Sequence, residues 1–300
     1  MNKLGLKLGA LFCLLVGASA HAQEDQQAPQ YLIHPAWSPD GKTIAFYQRK
    51  GSFSQVRRVS VKDLATEMVT DGTSYDANPS YSPTGDEIVF SRGTPDMQGQ
   101  WDIMTLNLTT GAGRNLTQNP NREMHPQWSP DGRQVSFVRF VEDQSDVFVI
   151  DLASGTETNV TNTPDTREFH PKWRADAGAL VFDRTSTAGT TIAAIDLSSG
   201  RDQTLATADE GERVSAPSYA PDGKSILLSR SGGSKNGIWR INLNDQQESH
   251  ILRTEDNQSA GGAVYSPDGA HIALHVATGG NYSLFVMNAD GTGLKPIVEK

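Results

Sequence analysis

One short motif recurs along the chain and limits the folds that the chain can adopt. An aromatic residue followed by Ser-Pro-Asp-Gly, or by a variant of it, occurs six times, with the final glycines at positions 41, 85, 132, 178, 223 and 269. Successive glycines are therefore 44, 47, 46, 45 and 46 residues apart. A period of this length is typical of a unit of four short strands and exceeds the helical repeats of about 34 residues.

The residues around each motif predict the strands of that unit. Proline fixes φ and glycine accepts a positive φ, as a tight turn between two strands requires. Alternating apolar segments follow the turns, beginning at Ile44, Ile88, Val135, Leu180, Ile226 and Ile272. A third strand comes next, such as the one from Asp146, and then a more polar fourth strand. We therefore predict an all-β fold, a six-bladed β-propeller with four antiparallel strands per blade.

The first 22 residues are predicted to be a cleaved signal peptide. Lys3 and Lys7 precede an apolar segment, residues 8–20, and small residues at Ala20 and Ala22 favour cleavage before Gln23. Cleavage two residues earlier would also satisfy the small-residue rule. We therefore expect an exported, periplasmic protein in which residues 23–300 form one propeller domain.

Composition argues against several kinds of partner. The formal net charge is −9 and no run of five like charges occurs, so we expect no nucleic-acid partner. The only cysteine, Cys13, follows Phe12 rather than a small residue, which argues against lipidation. Without residues 1–22 the chain would contain no cysteine and no apolar run long enough for a membrane anchor. We expect a monomer.

The positions at which the copies differ predict a binding site. Three residues before each aromatic lie His34, Asn78, His125, His170, Ala216 and Gly262, and acidic residues precede three of these by two positions. A spacing of two predicts that both columns lie on one face of the innermost strand. The candidate ligand-binding or partner-binding residues are His34, Asp76, Asn78, Arg122, Glu123, His125, Arg167, Glu168 and His170.

His34, Asn78, His125 and His170 form a polar arc in this prediction, and three interpretations of the arc remain open. In the first, the arc faces the small residues Ala216 and Gly262, which leave room for a ligand or an inserted partner segment near the mouth of the channel. Alternatively, His34, His125 and His170 hold a divalent metal, with Glu123 or Glu168 as outer partners. In the third interpretation the histidines only form hydrogen bonds at the ends of strands. No other cofactor is expected. The aspartates and aromatics of the repeated motif are interpreted as turn formation and packing between blades.

The repeat resembles that of a known family. Trp-Ser-Pro-Asp-Gly followed by Ile-Ala-Phe, a third strand such as Asp-Val-Phe-Val-Ile-Asp, and a threonine-rich fourth strand resemble the WD-like repeats of the TolB propeller family of exported bacterial proteins. TolB itself has an additional N-terminal α/β domain and binds a peptidoglycan-associated lipoprotein across the channel mouth. Only residues 23–30 separate the predicted signal from the first repeat, so we expect this chain to lack that domain. The resemblance implies a non-catalytic periplasmic module that binds a protein, peptide or glycan and contributes to organisation of the cell envelope.

The alternative is an enzyme. The chain contains no Gly-x-Ser-x-Gly, which argues against the serine hydrolases that carry a similar propeller. The oligogalacturonate lyases remain, because their propellers hold a metal on channel histidines and remove a proton beside a uronate carboxylate. His34, His125 and His170 together with Asn78 resemble that arrangement. No catalytic base can be assigned from a motif.

Overall fold

The computed structural model describes residues 29–51, 53–94 and 99–299. The predicted signal peptide, residues 1–22, lies outside this part of the chain. Within it the secondary structure consists of 24 strands joined by turns, without a helix. A search of the same residues for a helix long and apolar enough to cross a bilayer finds none. The predicted all-β class is confirmed.

The strands follow one another in groups of four, each corresponding to one copy of the repeat. The first group contains β1 (Gln30–Trp37), β2 (Thr43–Lys50), β3 (Phe53–Ser60) and β4 (Thr66–Met68). The second contains β5 (Tyr75–Tyr81), β6 (Glu87–Gly93), β7 (Trp101–Asn107) and β8 (Gly113–Asn115). The third contains β9 (Glu123–Trp128), β10 (Gln134–Val141), β11 (Gln144–Asp151) and β12 (Glu157–Asn159).

The second half of the chain repeats this order. The fourth group contains β13 (Arg167–Trp173), β14 (Ala179–Ser186), β15 (Gly189–Asp196) and β16 (Asp202–Thr207). The fifth contains β17 (Arg213–Tyr219), β18 (Ser225–Ser231), β19 (Gly237–Asn242) and β20 (Glu248–Arg253). The last contains β21 (Gln258–Tyr265), β22 (His271–Thr278), β23 (Asn281–Asn288) and β24 (Lys295–Val298).

Within each group the strands pair antiparallel in chain order, as predicted. Single parallel pairs join the first group to the second, Ser54 with Tyr75, and the third to the fourth, Ser145 with Arg167. The hydrogen-bonded sheets of the described residues therefore contain eight, eight, four and four strands. A propeller of four-stranded blades fits this pattern.

Burial explains the composition of the strands. In β2 the consecutive residues Ile44, Ala45 and Phe46 are all buried, because the middle of each group is covered by a neighbouring group on both faces. The fourth strand is short and polar in the first three groups, and in β4 all three residues are exposed. A short exposed edge offers little template for pairing with another chain.

Apolar clusters fill the spaces between consecutive groups. Ile103 of β7 packs in one cluster with Phe137 of β10, for example, and both side chains are fully buried. Similar clusters join the first group to the second, the third to the fourth, the fourth to the fifth and the fifth to the last. The core is therefore a series of interfaces between sheets rather than one central mass.

The first and last groups also pack against each other. Leu32 and Phe46 share a buried cluster with Leu284 and Val286. Trp37 Nε1 donates a hydrogen bond to the carbonyl of Val264, 3.3 Å away. No strand of the last group pairs with a strand of the first among the described residues. The two ends of the chain thus meet mainly by apolar packing.

The Ser-Pro-Asp-Gly segments act as turns. In the first copy the Ser38 hydroxyl donates to Asp40 Oδ1 at 2.7 Å, and the same oxygen accepts from the amide of Lys42 at 3.1 Å. These hydrogen bonds lower the pKa of Asp40 to about 2. Gly41 has φ of +69°, the left-handed conformation that glycine adopts without cost. The interpretation of the repeated aspartates as turn residues is confirmed.

The aromatics before the turns have two environments. Trp173 and Tyr81 are buried between groups, as predicted. Trp128 is only half-buried, although the sequence suggests that it is buried between blades. The ends of these side chains border a depression.

Candidate functional site

The first strands of the six groups enclose the candidate site. Each of β1, β5, β9, β13 and β17 contacts the first strand of the following group, and β21 contacts β1. The space that these strands surround is called the channel here. Side chains from the six copies of the repeat face one another across it, which is why differences between the copies matter for function.

The same backbone irregularity occurs in all six first strands. The residues at the predicted inner column have positive φ: His34 (56°), Asn78 (55°), His125 (56°), His170 (51°), Ala216 (49°) and Gly262 (61°). A register shift, typical of a β-bulge, occurs at this point in each strand. A left-handed residue interrupts strand alternation and redirects the side chain. Five of the six residues are not glycine, so the conformation has an energetic cost that the surrounding packing must offset.

Three histidines converge at this level. The ring centroid of His34 lies 5.6 Å from that of His125 and 5.4 Å from that of His170, and the rings of His125 and His170 are 4.3 Å apart. One nitrogen from each ring can be chosen so that all three lie within 4.8 Å of one another. The structure therefore brings together the three imidazoles that the sequence predicts as possible metal ligands.

A carboxylate orients one of these imidazoles. Asp183 of β14 has its Oδ1 2.8 Å from His170 Nδ1, and the same oxygen accepts a hydrogen bond from the amide of Ala216 at 3.1 Å. A proton on Nδ1 would be held by this carboxylate, and Nε2 would then be the nitrogen with a free lone pair. Such a pairing of carboxylate and histidine is common behind metal-binding imidazoles.

Burial keeps the other imidazoles neutral. It lowers the pKa of His34 and of His125 well below the usual value, and the proximity of His170 lowers both further. His275 of β22, whose ring lies 6.3 Å from that of His34, has its pKa lowered to about 3, again mainly by burial. Neutral imidazoles in a cluster have lone pairs available for a metal or for hydrogen-bond donors.

The predicted acidic residues lie elsewhere. Asp76, Glu123 and Glu168 are fully buried, whereas the three histidines are half-buried. Each acid is paired with an arginine of the adjacent strand, at 2.7 Å for Asp76 with Arg92, 2.7 Å for Glu123 with Arg139 and 2.8 Å for Glu168 with Arg184. The expectation that acids and histidines share one strand face is wrong, because the bulge separates the two columns.

Burial also affects these carboxyl groups. It raises the pKa of Glu123 to about 7 and raises the pKa of Glu168. Arg139 is shared between Glu123 and Glu157, so one guanidinium balances two carboxylates in a buried place. Burial thus favours the protonated form of Glu123 near neutral pH.

The remaining predicted residues occupy three places. Asn78 is buried in the channel wall, where the Ser91 hydroxyl lies 3.5 Å from its side-chain oxygen. Arg122 is exposed and stacks over Trp101, with 5.0 Å between its guanidinium carbon and the ring centroid. Arg167 is exposed and lies 3.5 Å from Asp143. Neither arginine forms a hydrogen bond or ion pair with the three histidines, although the charge of Arg122 contributes to lowering the pKa of His125, and the role of both arginines in binding stays a prediction.

Sequence reasoning missed four residues near the cluster. Tyr47, Asp183 and His275 come from the second strand of their groups, one position after the apolar triplet that follows each turn. Lys172 lies two positions after His170. Both columns differ between copies, with Tyr, Ser, Val, Asp, Ser and His in the first and Ala, Ser, Gln, Lys, Ser and Val in the second. Comparing the copies column by column, beyond the first strand, would have identified them.

A depression of about 270 Å³ lies at the end of the channel where the first strands terminate. We call it the aromatic funnel, and it is bordered by the last residue of each first strand: Trp37, Tyr81, Trp128, Trp173, Tyr219 and Tyr265. Lys172 also lines it, with Nζ 2.9 Å from Gln127 Oε1. Burial lowers the pKa of Lys172 to about 8.

The three-histidine cluster fits a divalent metal. Zinc is bound by imidazole nitrogens at about 2.0–2.1 Å, so the three nitrogens that lie within 4.8 Å of one another are candidate ligands of one ion. Asp183 supplies the outer carboxylate that such sites use, instead of the predicted Glu123 or Glu168. A fourth ligand position would be left for water or a bound molecule.

Comparisons with known proteins agree with the fold. The family model of the TolB β-propeller domain matches residues 19–261. The Tol-Pal system protein TolB of Francisella tularensis subsp. mediasiatica is 28% identical over 189 residues, a match covering 46% of this chain and 42% of that protein. The matches to the first relatives found cover less than half of each relative's length.

The solved structures that are similar in fold include a TolB-type protein and a lyase. A protein assigned to TolB from Agrobacterium tumefaciens has a TM-score of 0.71 at 19% identity, covering 83% of this chain and 90% of that one. An oligogalacturonate lyase in complex with manganese has a TM-score of 0.57 at 15% identity, covering 90% and 73%. At such identities the likeness concerns the fold. The family model matches well over half of the residues of this chain, and the chain therefore belongs to the TolB β-propeller domain family.

Proposed function

We propose that this chain is a six-bladed propeller that acts in the periplasm as an interaction module and binds a protein, peptide or glycan of the cell envelope in its channel. The closed series of contacts from β1 through β5, β9, β13 and β17 to β21 and back to β1 supports six blades. The two parallel pairs between groups are single bridges, compatible with separate blades.

Binding in the channel is supported by one observation: the residues that face the channel differ between the six copies of the repeat. The turns and buried strands repeat, whereas the channel combines His34, His125, His170 and Lys172 with the small residues Ala216 and Gly262. A few polar groups beside open space are typical of binding sites. The relative from Francisella is described as a Tol-Pal system protein, and we extend an envelope role to this chain as part of the proposal.

Cross-linking in the native cells tests the interaction. We expect the full-length chain, expressed with its own N-terminus, to be found in the periplasmic fraction and to be cross-linked to an envelope component. The double variant His125→Ala, His170→Ala should lose that product. His271 is exposed at the start of β22, so His271→Ala is the matched control and should retain it. Equal cross-linking by all three proteins would contradict binding in the channel.

A second candidate function is a metal-dependent polysaccharide lyase, favoured by the convergence of three imidazole nitrogens within 4.8 Å. His34, His125 and His170 would hold the ion, which would supply a Lewis acid to a uronate carboxylate. Asp183 would keep His170 oriented.

Elemental analysis tests this candidate. Protein purified without chelators or a histidine tag should contain about one equivalent of a transition metal, and the double variant His125→Ala, His170→Ala should contain none, while His271→Ala keeps it. Protein with that metal should also release unsaturated products from a uronate polymer. Absence of metal from the unaltered protein would eliminate the lyase and leave the interaction module.

A further inference from the structure

The aromatic funnel differs chemically from the rest of the surface. The chain as a whole is acidic, yet none of the described residues lining the funnel is an aspartate or glutamate. Lys172 is the one charged group among them. A volume of about 270 Å³ is close to the lower end of ligand pockets and suits a single residue rather than a long segment.

Several polar groups of the funnel are already used by the protein, and Trp128 Nε1, which has no partner among the described residues, is buried. Trp173 Nε1 donates to the carbonyl of Gln127 at 3.1 Å, and the Ser218 hydroxyl donates to the carbonyl of Ala263 at 2.6 Å. The Ser80 hydroxyl accepts from the amide of Trp128 at 3.3 Å. A ligand rich in hydroxyl groups would find few free partners here, and its own polar groups would be desolvated at a cost. An apolar ligand surface is the better match.

Lys172 lacks an anionic partner. Its Nζ donates to the neutral amide oxygen of Gln127, and no carboxylate of the described residues forms an ion pair with it. A half-buried ammonium group gains from a carboxylate, because a charge-assisted hydrogen bond replaces lost hydration. The funnel therefore combines apolar walls with one site for an anion.

We propose that the aromatic funnel binds the C-terminal residue of a peptide or protein partner, with Lys172 pairing with the terminal carboxylate and the aromatic walls packing against an apolar or aromatic last side chain. This inference rests on the proposed interaction function and specifies the part of the partner that enters the channel. Capture of a chain terminus in this way needs only one charged contact, the one to the terminal carboxylate. The rest of the partner's backbone can continue outward from the open side of the funnel.

Calorimetry with short peptides tests the proposal on the full-length exported protein. The probes are N-acetyl-Ala-Ala-Ala-Phe with a free carboxylate and the same peptide as its C-terminal amide. We expect the acid to bind at least about tenfold more tightly than the amide, since hydrogen bonds to charged groups commonly contribute that much. An oligogalacturonate of similar size should bind more weakly than the peptide acid.

Variants separate the contribution of Lys172 from general packing. Lys172→Met should bind acid and amide equally, with the affinity for the amide unchanged, which also shows that the funnel remains folded. Lys62 is exposed in the turn after β3, and Lys62→Met should keep the preference for the acid. The proposal is overturned if the unaltered protein binds acid and amide equally, binds neither, prefers the oligogalacturonate, or keeps its preference for the acid in Lys172→Met.

The outcome is distinguishable from failure of the proposed function. If the cross-linking experiment yields an envelope partner while the peptide acid shows no advantage, the interaction module stands and the C-terminal mode of binding is wrong. If no partner is cross-linked and no peptide binds, both fail. A peptide acid that binds at Lys172 without any cross-linked partner would contradict only the assignment to the cell envelope.

Discussion

At the scale of single residues, the lining of the channel depends on residues whose backbone adopts the left-handed conformation. His34, His125 and His170 have φ between 51° and 56°, a conformation that costs a non-glycine residue roughly 1–2 kcal/mol. The bulge that accompanies it turns the three imidazoles toward one another. Strained residues of this kind concentrate at functional sites, which agrees with the proposed binding role.

The outer carboxylate of the histidine cluster gives a prediction about metal affinity. Asp183→Asn keeps an acceptor for the amide of Ala216 but weakens the hold on His170, so zinc affinity should fall about 10-fold to 100-fold. Competition with a chromogenic zinc chelator measures this. Asp165 is exposed in the turn before β13, and Asp165→Asn is the control. Unchanged zinc binding by a folded Asp183→Asn protein would show that the carboxylate does not act on a metal site.

The buried Glu123 gives a prediction about pH. Its folded pKa of about 7 lies above the ordinary 4.5, so between these values the folded state holds a proton that the unfolded state releases. The contribution of Glu123 to the free energy of unfolding is therefore fully present at low pH and is lost as the pH rises through about 7. Relative to Glu123→Gln, the unaltered protein should become about 1–2 kcal/mol less stable between pH 5.5 and 7.5.

Urea unfolding at both pH values provides the measurement for Glu123. Glu157 also pairs with Arg139 but is less buried. Glu157→Gln therefore indicates how much the competition for one guanidinium contributes to the pH dependence of the free energy of unfolding. If the difference between Glu123→Gln and the unaltered protein were the same at both pH values, the carboxyl would already be ionised throughout this range, and the assignment would be wrong.

At the scale of strands, the aromatics before the turns connect neighbouring sheets. Trp173 is buried against β11 and β14, and its Nε1 reaches the carbonyl of Gln127 in the preceding group. Trp173→Ala should therefore cost about 3–5 kcal/mol, and Trp173→Phe about 1 kcal/mol for the lost hydrogen bond. Trp128→Ala should cost less than Trp173→Ala, because Trp128 is half-buried.

Chemical denaturation of these three variants distinguishes packing from exposure. A loss below about 1 kcal/mol for Trp173→Ala would contradict the role of this ring as a buried contact between sheets. Equal losses for the two alanine variants would show that partial exposure of Trp128 does not matter for the interface. Unaltered slopes of the unfolding curves are needed for either comparison to hold.

The repeat predicts strands well because each strand follows from local chemistry. Pro-Asp-Gly sets the turn before Ile44, and the buried triplet that begins there defines β2 without knowledge of its neighbours. The site is harder to predict. Strand alternation places Glu123 beside His125, whereas the bulge that begins at His125 depends on the packing of six strands around the channel. Asp183 and His275 approach the histidines from second strands, a tertiary relation that spacing along one strand does not contain.

At the scale of the whole molecule, the seam between the first and last groups decides whether the ring is closed. Leu32 at the seam and Leu180 between the third and fourth groups are both fully buried. If the seam packs like the other interfaces, Leu32→Ala and Leu180→Ala should each cost about 2–5 kcal/mol. A much smaller loss for Leu32→Ala, measured by thermal and urea unfolding, would mean that the ring opens at this seam.

The proposed binding of a partner in the channel can be tested with a photo-cross-linking side chain. Benzoylphenylalanine is introduced at position 127, beside Lys172 in the funnel, or at position 158, which is exposed on the outer strand β12. We expect a cross-linked envelope partner from position 127 and none from position 158. Cross-linking from position 158 alone would place the partner on the outside of the propeller and contradict binding in the channel.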